Sequence, residues 1–254
     1  MNVIVPVSGG KDSQACLLLA WNHPKTKSLI AVFNDTGWEH PITYDHLDYM
    51  ESEFGFSIEK TIGGLRRDKK EAKTLPQLII AQGRFPFGLG RFCTKHLKQY
   101  ALRDYYKNYV FDGSTPWEVW FGMRTDESAN RFRKYNDIHP NDNYDMGDLF
   151  PSVYGQYLRN TLSVRLPIVD WTEEEVFEYI YKNNMTPNPL YKEGTNNRVG
   201  CYPCMLAGKK VQMKMFNTEF GKQQLENIRE LERITGTKYE MYDTDQGSCE
   251  VCKI

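Results

Sequence analysis

Short apolar runs alternate with longer amphipathic stretches at the start of the chain. Apolar runs at 3–7 and 29–33 are followed by stretches with helical spacing at 12–21 and 42–54. A third apolar run at 58–62 extends this order. Because strands that alternate with helices are typical of parallel sheets, the pattern predicts a doubly wound α/β fold.

The middle of the chain is less regular. Stretches 76–82 and 95–109 have helical spacing, whereas 117–123 is rich in aromatic and β-branched residues and is predicted as a buried strand. The segment 128–155 is polar and rich in Asn, Asp, Arg and Gly. We expect it to form a long loop over a site.

The C-terminal part has its own signals. Thr172 and Glu175 have the spacing of a capping box before a helix, and 209–235 reads as one or two charged amphipathic helices. We therefore expect a nucleotide-binding α/β domain at 1–170 and a helical, cysteine-bearing extension at 171–254.

The charge balance excludes one class of protein. The 254 residues include 32 basic and 33 acidic side chains, a formal net charge of -1. A general nucleic-acid coat needs a large positive charge, so any nucleic-acid contact must be a local patch. The N-terminal sequence lacks a signal peptide or a membrane span, and a cytoplasmic protein with no membrane contact is expected.

Six cysteines in a reducing compartment favour metal ligands or reactive thiols over disulfides. Cys16 lies in an apolar run and is expected to be buried. Four cysteines form two Cys-x-x-Cys pairs, Cys201 with Cys204 and Cys249 with Cys252. Four thiolates suit either Zn²⁺ or a [4Fe–4S] cluster, and the spacing does not separate these. A frayed, unliganded terminal pair is the structural alternative.

A glycine-rich segment follows the first predicted strand and precedes the first predicted helix. Its six residues are Ser8, Gly9, Gly10, Lys11, Asp12 and Ser13. Glycines let backbone N–H groups approach an anion at a helix N-terminus, so pyrophosphate fits this segment. The lysine adds charge, the serines add hydroxyl donors, and the aspartate either caps the helix or holds Mg²⁺. A plain turn with a Ser or Asp cap is the alternative.

This loop lacks the Walker spacing and resembles the PP-loop of the ATP pyrophosphatases. Further segments, in the expected order, resemble the phosphoadenylylsulfate (PAPS) reductase-like branch of that family: 33–41, 91–94, 122–128, 167–171, 188–191 and 198–201. The resemblance covers roughly residues 1–210 and implies that ATP binds at the carboxyl ends of the parallel strands.

The resemblance also implies further site residues. Asn34, Asp35 and Thr36 would hold the adenosine, although an Asp-Thr-Gly sequence is also an ordinary turn. Gly122 and Arg124 lie at the end of a further predicted strand and would complete the nucleotide site. The arginine could bind phosphate or sulfonate oxygens, and a solvated basic face with Asp126 and Glu127 as partners is the alternative.

Cys93 lies among basic residues: Arg91, Lys95, His96 and Lys98. If they converge on the thiol, they would favour the thiolate. The resemblance favours an iron–sulfur cluster and leaves open whether Cys93 is one of its ligands. Our first choice keeps the two cysteine pairs as ligands and makes Cys93 a reactive thiol.

The chain lacks the Glu-Cys-Gly-Leu-His tail and the adjacent cysteine pair of sulfonucleotide reductases. It is most similar to the ATP pyrophosphatases of DNA phosphorothioation and sulfur transfer. This implies cleavage of ATP to AMP and pyrophosphate to adenylate an acceptor, with Lys11, Asp12, Cys93 and Arg124 as catalytic residues.

Implied partners are a cysteine desulfurase or another sulfur donor, and DNA or tRNA as a nucleic-acid substrate. A homodimer is among the oligomeric states left open. A PAPS or adenylylsulfate reductase and a nucleotide-dependent regulator without enzymatic activity are the alternatives.

Overall fold

The computed structural model describes residues 1–63, 73–88, 90–110, 112, 114–150, 162–192 and 199–241. A six-stranded sheet with the order β3-β2-β1-β4-β6-β5 forms its centre. The strands are β1 (Asn2–Val7), β2 (Ser28–Asp35), β3 (Glu59–Ile62), β4 (Trp117–Trp120), β5 (Tyr144–Asp145) and β6 (Leu162–Arg165). All pairings are parallel except that of β5 with β6. The predicted doubly wound, mainly parallel fold is confirmed.

Helices pack around this sheet, and two further helices follow near the C-terminus. The α-helices are α1 (Lys11–Asn22), α2 (Pro41–Phe54), α3 (Leu75–Gln82), α4 (Tyr100–Tyr105), α5 (Ala129–Tyr135), α6 (Met146–Leu149), α7 (Glu173–Lys182), α8 (Lys209–Phe216) and α9 (Glu219–Thr235). Wider helical turns at Thr94–Gln99 and Tyr106–Val110 flank α4, and short 3₁₀ turns cover Thr125–Glu127 and Pro189–Tyr191.

Both faces of the sheet are covered, which explains the unbroken apolar run of β1. Val5 packs with Leu47 of α2 and Val176 of α7 on one face, whereas Ile4 packs with Tyr106 and Tyr135 on the other. Successive side chains of a strand point to opposite faces, so a strand buried on both sides needs apolar residues at every position.

The order of the strands reverses between β1 and β4. From β1 the chain moves outward through β2 to β3, and it returns to the other side of β1 at β4. Ligands of open α/β sheets bind at this switch point, outside the carboxyl ends of the strands. The segments after Val7 and after Trp120 therefore border the expected crevice.

The expectation of one long loop at 128–155 is wrong where this segment forms regular elements. It contains α5, β5 and α6, while residues 151–161 lie outside the described part. Ser128 caps α5 by accepting a hydrogen bond from the Arg131 amide at 3.2 Å. Tyr135 and Met146 are buried in the second core. A few apolar anchors among many exposed polar residues are enough for these short elements.

The C-terminal helical extension is confirmed. Thr172 and Glu175 form the predicted capping box of α7, and 209–235 forms the two helices α8 and α9. Helix α9 packs on α3 through Ile228 and Leu231 in a third apolar cluster. The boundary after residue 170 stays a prediction, and the terminal cysteines lie outside the described residues.

A search of the described helices for an apolar stretch long enough to cross a membrane finds none.

Candidate functional site

Buried side chains pack closely against the glycine turn after β1. Gly9 has φ +72°, and a Cβ added there would lie 2.6 Å from Cγ2 of Thr43, which is fully buried on α2. The side chain of Asn188, also fully buried, donates from Nδ2 to the Gly9 carbonyl at 3.0 Å. Only glycine fits this left-handed position without strain or a clash.

Two serine hydroxyls brace the same turn from inside. Ser13 Oγ donates to the Gly10 carbonyl at 2.9 Å and accepts the Ser8 amide at 3.1 Å, while Ser8 Oγ lies 3.3 Å from it. The N-cap residue of α1 is Gly10, which has no side chain to cap the helix, whereas the Tyr191 hydroxyl accepts the Lys11 amide at 3.0 Å. The alternative of a plain turn with a Ser or Asp cap is therefore not what the structure shows. A helix N-terminus with a glycine at the N-cap position favours an anion.

The side chain of Lys11 leaves the turn and lies in a largely buried charge network. Its Nζ is 3.4 Å from Asp12 Oδ2 and 3.1 Å from Oε1 of Glu173, the first residue of α7. The ammonium group also lies 5.1 Å from the ring centre of Tyr191 and 5.7 Å from that of Phe177. Lys11 is only 2% exposed, so these partners compensate the cost of burying its charge.

Arg124 joins this network from the segment after β4. Its Nε donates to Asp12 Oδ1 at 2.6 Å, and its Nη1 donates to Asp126 Oδ2 at 2.9 Å and to the Trp171 carbonyl at 3.2 Å. Burial opposes the charge of this guanidinium, but the Asp12 carboxylate and the hydrogen bonds raise the net pKa of Arg124. It is a permanent cation beside the glycine turn.

Gly122 acts as a spacer between β4 and α1. A Cβ added there would lie 2.5 Å from the Asp12 carbonyl oxygen and 2.9 Å from the Ser13 amide nitrogen. The absence of a side chain lets the segment after β4 touch the first turn of α1. Gly122 thus shapes the crevice beside the predicted phosphate loop.

The polar residues at the end of β2 are held by local hydrogen bonds. Asn34 Oδ1 accepts from Thr61 Oγ1 at 2.6 Å. Asp35 Oδ1 accepts from the Gly37 amide and from the Tyr44 hydroxyl, each at 2.8 Å. The turn that sequence analysis left as an alternative is thus present, and its residues still border the carboxyl edge of the sheet. Their role in adenosine binding stays a prediction.

Glu39 was not singled out from the sequence, yet it organises the next segment. Its carboxylate is 5% exposed and accepts from Thr36 Oγ1 at 2.6 Å, from the amides of Thr36 and Trp38 at 3.1 Å, and from Tyr44 at 3.3 Å. Cys201 Sγ lies 3.8 Å from the same carboxylate. The Thr-x-x-Glu spacing, which also occurs in capping boxes, was the available signal.

Thr36 and Glu39 therefore lie beside the first described cysteine pair. Thr36 Oγ1 is 3.5 Å from Cys201 Sγ, and the Tyr202 amide donates to the Trp38 carbonyl at 2.7 Å. The cysteine-bearing loop thus packs directly on the turn that follows β2.

Three cysteines interact electrostatically with one lysine. The Lys98 pKa is raised, chiefly by Cys201 and then by Glu39, Cys204 and Cys93, against the opposing effect of burial. Burial raises the pKa of Cys93, and Cys204 adds to this, whereas Lys98 and Arg91 act in the opposite direction with smaller effect. The net direction is opposite to the one that the basic neighbours alone would give. Burial likewise raises the pKa of Cys201, and that of Cys16, whose predicted burial is confirmed.

The structure describes two of the four cysteines that were predicted to bind a metal. Cys201 and Cys204 belong to the described residues, whereas Cys249 and Cys252 do not. Among the described residues, no three His, Cys, Asp or Glu side chains are arranged to hold a metal ion. The four-cysteine set stays a prediction.

The sequence assigned no role to several residues of the site. Asn188 and Tyr191 lie in the segment 188–191 that carried part of the resemblance, but no role followed from it. Glu173 lies in the predicted capping region of α7, and its contact with Lys11 had no sequence signal, because the two residues are far apart in the chain.

The fold and the glycine loop together define a PP-loop protein. Residues 2–207 match the family model described as the phosphoadenosine phosphosulfate reductase domain, and the chain belongs to this PAPS reductase-like family.

Three proteins with similar sequences differ in how much of their own length the match with this chain covers. A protein of Escherichia phage 186 is 29% identical, over 84% of this chain and 70% of that protein. Sulfate adenylyltransferase subunit 2 of Shewanella baltica is 26% identical, over 91% of this chain and 73% of the subunit. A Methanocaldococcus jannaschii protein is 28% identical over 87% of this chain, but the match covers only 39% of that longer protein.

A solved structure supports the fold. The PAPS reductase of Candida auris, crystallised with phosphate, aligns with a TM-score of 0.52 at 16% identity, over 80% of this chain and 82% of that one. The family includes enzymes of nucleotide-dependent sulfur chemistry, as the names of the reductase and the adenylyltransferase subunit state.

Proposed function

We propose that the chain is an ATP pyrophosphatase that adenylates an acceptor for sulfur incorporation. The observation that carries this proposal is the braced glycine turn at the N-terminus of α1, located at the switch point of the sheet. Backbone N–H groups of such a turn bind phosphate oxygens, and the Ser8 hydroxyl can add a donor, whereas the Ser13 hydroxyl donates to the Gly10 carbonyl and braces the turn. Membership of the PAPS reductase-like family supports a nucleotide in this place.

In the proposed reaction an acceptor oxygen attacks the α-phosphorus of ATP, and the bond to the pyrophosphate breaks. Negative charge then grows on the departing pyrophosphate. Lys11, Arg124 and the loop amides supply preorganised positive charge and donors for it. Asp12, whose side chain is 20% exposed, would bind the Mg²⁺ of the nucleotide.

Sulfur enters in a second step. A sulfur nucleophile from a cysteine desulfurase or another donor displaces AMP from the adenylated acceptor. We propose Cys93 as the relay thiol. The outer sulfur of its persulfide would bond to the acceptor as AMP leaves, and an external thiol would then attack Cys93 Sγ, which forms a mixed disulfide and releases the thiolated acceptor. We propose Asn34, Asp35 and Thr36 as the residues that border the adenosine. The end of β2 also reaches the described cysteine pair, because Thr36 contacts Cys201.

The cysteine pairs would hold a [4Fe–4S] cluster, with Zn²⁺ as the alternative. Cys201 and Cys204 are half-buried and offer soft thiolate ligands, which suit either group. Such a cluster could supply redox or sulfur-binding chemistry when present.

The acceptor is proposed to be DNA, as in phosphorothioation, or tRNA, in a cytoplasmic setting. Because the net charge is close to zero, recognition of a nucleic acid would depend on a local basic patch. Mass spectrometry of nucleic acids from cells with and without the gene would show sulfur-containing nucleotides if this acceptor class is right, and identical nucleotide profiles would contradict it.

The phosphate site is tested by Lys11→Ala and by Ser8→Ala combined with Ser13→Ala. We expect each variant to bind ATP at least tenfold more weakly in isothermal titration, because charge-assisted hydrogen bonds are lost. Glu173→Gln is the matched control, since it breaks the same Lys11 ion pair but keeps the cation. Unchanged ATP affinity in a folded Lys11→Ala protein would remove the lysine from this role.

Product analysis tests the reaction itself. Release of AMP and pyrophosphate from ATP is expected. Release of sulfite from PAPS would instead identify a reductase, the second candidate, which the family match favours. Nucleotide binding without any turnover, with all plausible acceptors supplied, would indicate the regulator.

A further inference from the structure

The hydroxyl of Tyr191 contacts the first turn of α1. Its oxygen accepts the backbone N–H of Lys11 at 3.0 Å, and a Cβ added to Gly10 would lie 3.0 Å from it. The backbone of Val199 also interacts with this phenol and acts to lower the pKa of Tyr191, against the larger effect of burial. Tyr191 therefore connects the glycine turn with the loop that carries Cys201, two residues beyond Val199.

The phenol of Tyr191 keeps its proton, and its O–H group can still donate a hydrogen bond. Burial raises the pKa of Tyr191, so the group is neutral near pH 7. The hydroxyl oxygen accepts the Lys11 amide, and its O–H proton is still available to donate. No acceptor for this proton lies in hydrogen-bonding position within the part of the chain that the structure describes.

The position of this hydroxyl is fixed from several sides. The ring of Tyr191 packs edge-on against Phe177 with centroids 5.5 Å apart, and the Lys11 ammonium lies over it. Asn188 holds the start of the same turn, because its Oδ1 accepts the Leu190 amide at 3.0 Å while its Nδ2 binds the Gly9 carbonyl. A donor held in this way reorganises little when a ligand binds.

We propose that the Tyr191 hydroxyl donates a hydrogen bond to a phosphate oxygen of the nucleotide, which makes Tyr191 a further residue of the phosphate site. The inference rests on the proposed ATP site and adds a neutral donor to its backbone amides and Lys11. Its contribution grows as charge develops on the pyrophosphate, because the donor already lies beside the turn.

The first test compares Tyr191→Phe with Tyr49→Phe. Both tyrosines accept a backbone N–H at 3.0 Å, but the partner of Tyr49 is Thr186, away from the glycine turn. By isothermal titration we expect Tyr191→Phe to bind inorganic pyrophosphate about tenfold more weakly and adenosine unchanged. Tyr49→Phe should leave both affinities unchanged. Wild-type pyrophosphate affinity in Tyr191→Phe, or an equal loss for adenosine, would overturn the proposal.

A second variant separates donation to phosphate from acceptance of the Lys11 amide. Incorporation of 3-fluorotyrosine at position 191 keeps the shape but makes the hydroxyl a stronger donor and a weaker acceptor. At mildly acidic pH, where the phenol stays protonated, we expect tighter pyrophosphate binding. Unchanged or weaker binding would show that the hydroxyl only supports the loop and would overturn the proposal.

The Lys11→Ala titration distinguishes this inference from the proposed function. Weakened pyrophosphate binding in Lys11→Ala together with wild-type binding in Tyr191→Phe would reject the role of Tyr191 alone. Wild-type binding in both variants would reject the phosphate site as a whole.

Discussion

The carboxylate of Asp12 accepts a hydrogen bond from Arg124 at 2.6 Å, although 112 positions separate the two residues. The second carboxylate oxygen lies 3.4 Å from Nζ of Lys11. One side chain thus joins two buried cations and connects the turn after β1 with the segment after β4. These two segments border the expected crevice at the switch point of the sheet.

Removing this charge should destabilise the fold. In Asp12→Asn, Arg124 keeps its contacts with Asp126 and Trp171 but loses its shortest ion pair, and we expect the free energy of unfolding in urea to fall by about 2 kcal/mol. Asp126→Asn is the control on the same guanidinium. Its side chain is 52% exposed, so its loss should stay below about 1 kcal/mol. Equal losses in the two variants would contradict the assignment of Asp12 as the main partner.

A methyl group at Gly122 should displace the start of α1. The added Cβ of Gly122→Ala would meet backbone atoms of Asp12 and Ser13, which cannot rotate away as a side chain can. We expect a loss of about 2 kcal/mol in unfolding free energy, as for overpacking of a core, together with weaker ATP binding.

Gly55→Ala provides the comparison for Gly122→Ala. Gly55 has φ +71° at the end of α2, and nothing lies within 4 Å of an added Cβ. This variant should lose about 1 kcal/mol from backbone strain and keep its ATP affinity. If both variants retained ATP affinity, the close contact of Gly122 with α1 would have no bearing on the site.

The buried imidazole of His46 should make stability depend on pH. Burial lowers the pKa of His46 from 6.5 to about 4, and the ring lies 3.3 Å from Gln14 through Nε2. Below pH 6.5 the unfolded chain binds a proton that the folded chain does not. The free energy of unfolding should therefore be unaffected above pH 6.5 and fall between 6.5 and 4, by about 3 kcal/mol in total.

Urea unfolding across this pH range checks the His46 prediction. His46→Gln should show a smaller loss of stability on acidification than the wild type. His139→Gln is the control, because the His139 side chain is 62% exposed and should leave the pH dependence unchanged. A His46→Gln curve parallel to that of the wild type would mean that His46 is not the titrating group.

Cys93→Ser tests whether this thiol relays sulfur or binds metal. For a relay, we expect iron content and ATP binding to remain at the wild-type level while sulfur transfer is abolished. Iron loss would make Cys93 a ligand instead, and would be accompanied by lower stability because metal binding and folding are coupled. Full iron and full activity would leave Cys93 as a packing residue. Cys16→Ala, at a fully buried core position, should change neither quantity.

The sequence determined the elements that depend on local patterns. The apolar run of β1, the glycine turn and the Thr172–Glu175 capping box each depend on neighbouring residues, and their predicted structures are confirmed. The order of strands and helices also predicted the parallel sheet, because a helix between two strands brings them into the same direction. Composition misled only where a few buried anchors, such as Tyr135, stabilise short elements in a polar segment.

The tertiary structure alone decided which distant residues meet. The contacts of Lys11 with Glu173 and Tyr191, and of Glu39 with Cys201, join segments that no short-range pattern relates. It also decided the direction of the Cys93 pKa, since burial opposes the neighbouring cations. Charge, burial and hydrogen-bond partners depend on the packing of several elements at once, and a linear spacing of residue types does not contain that information.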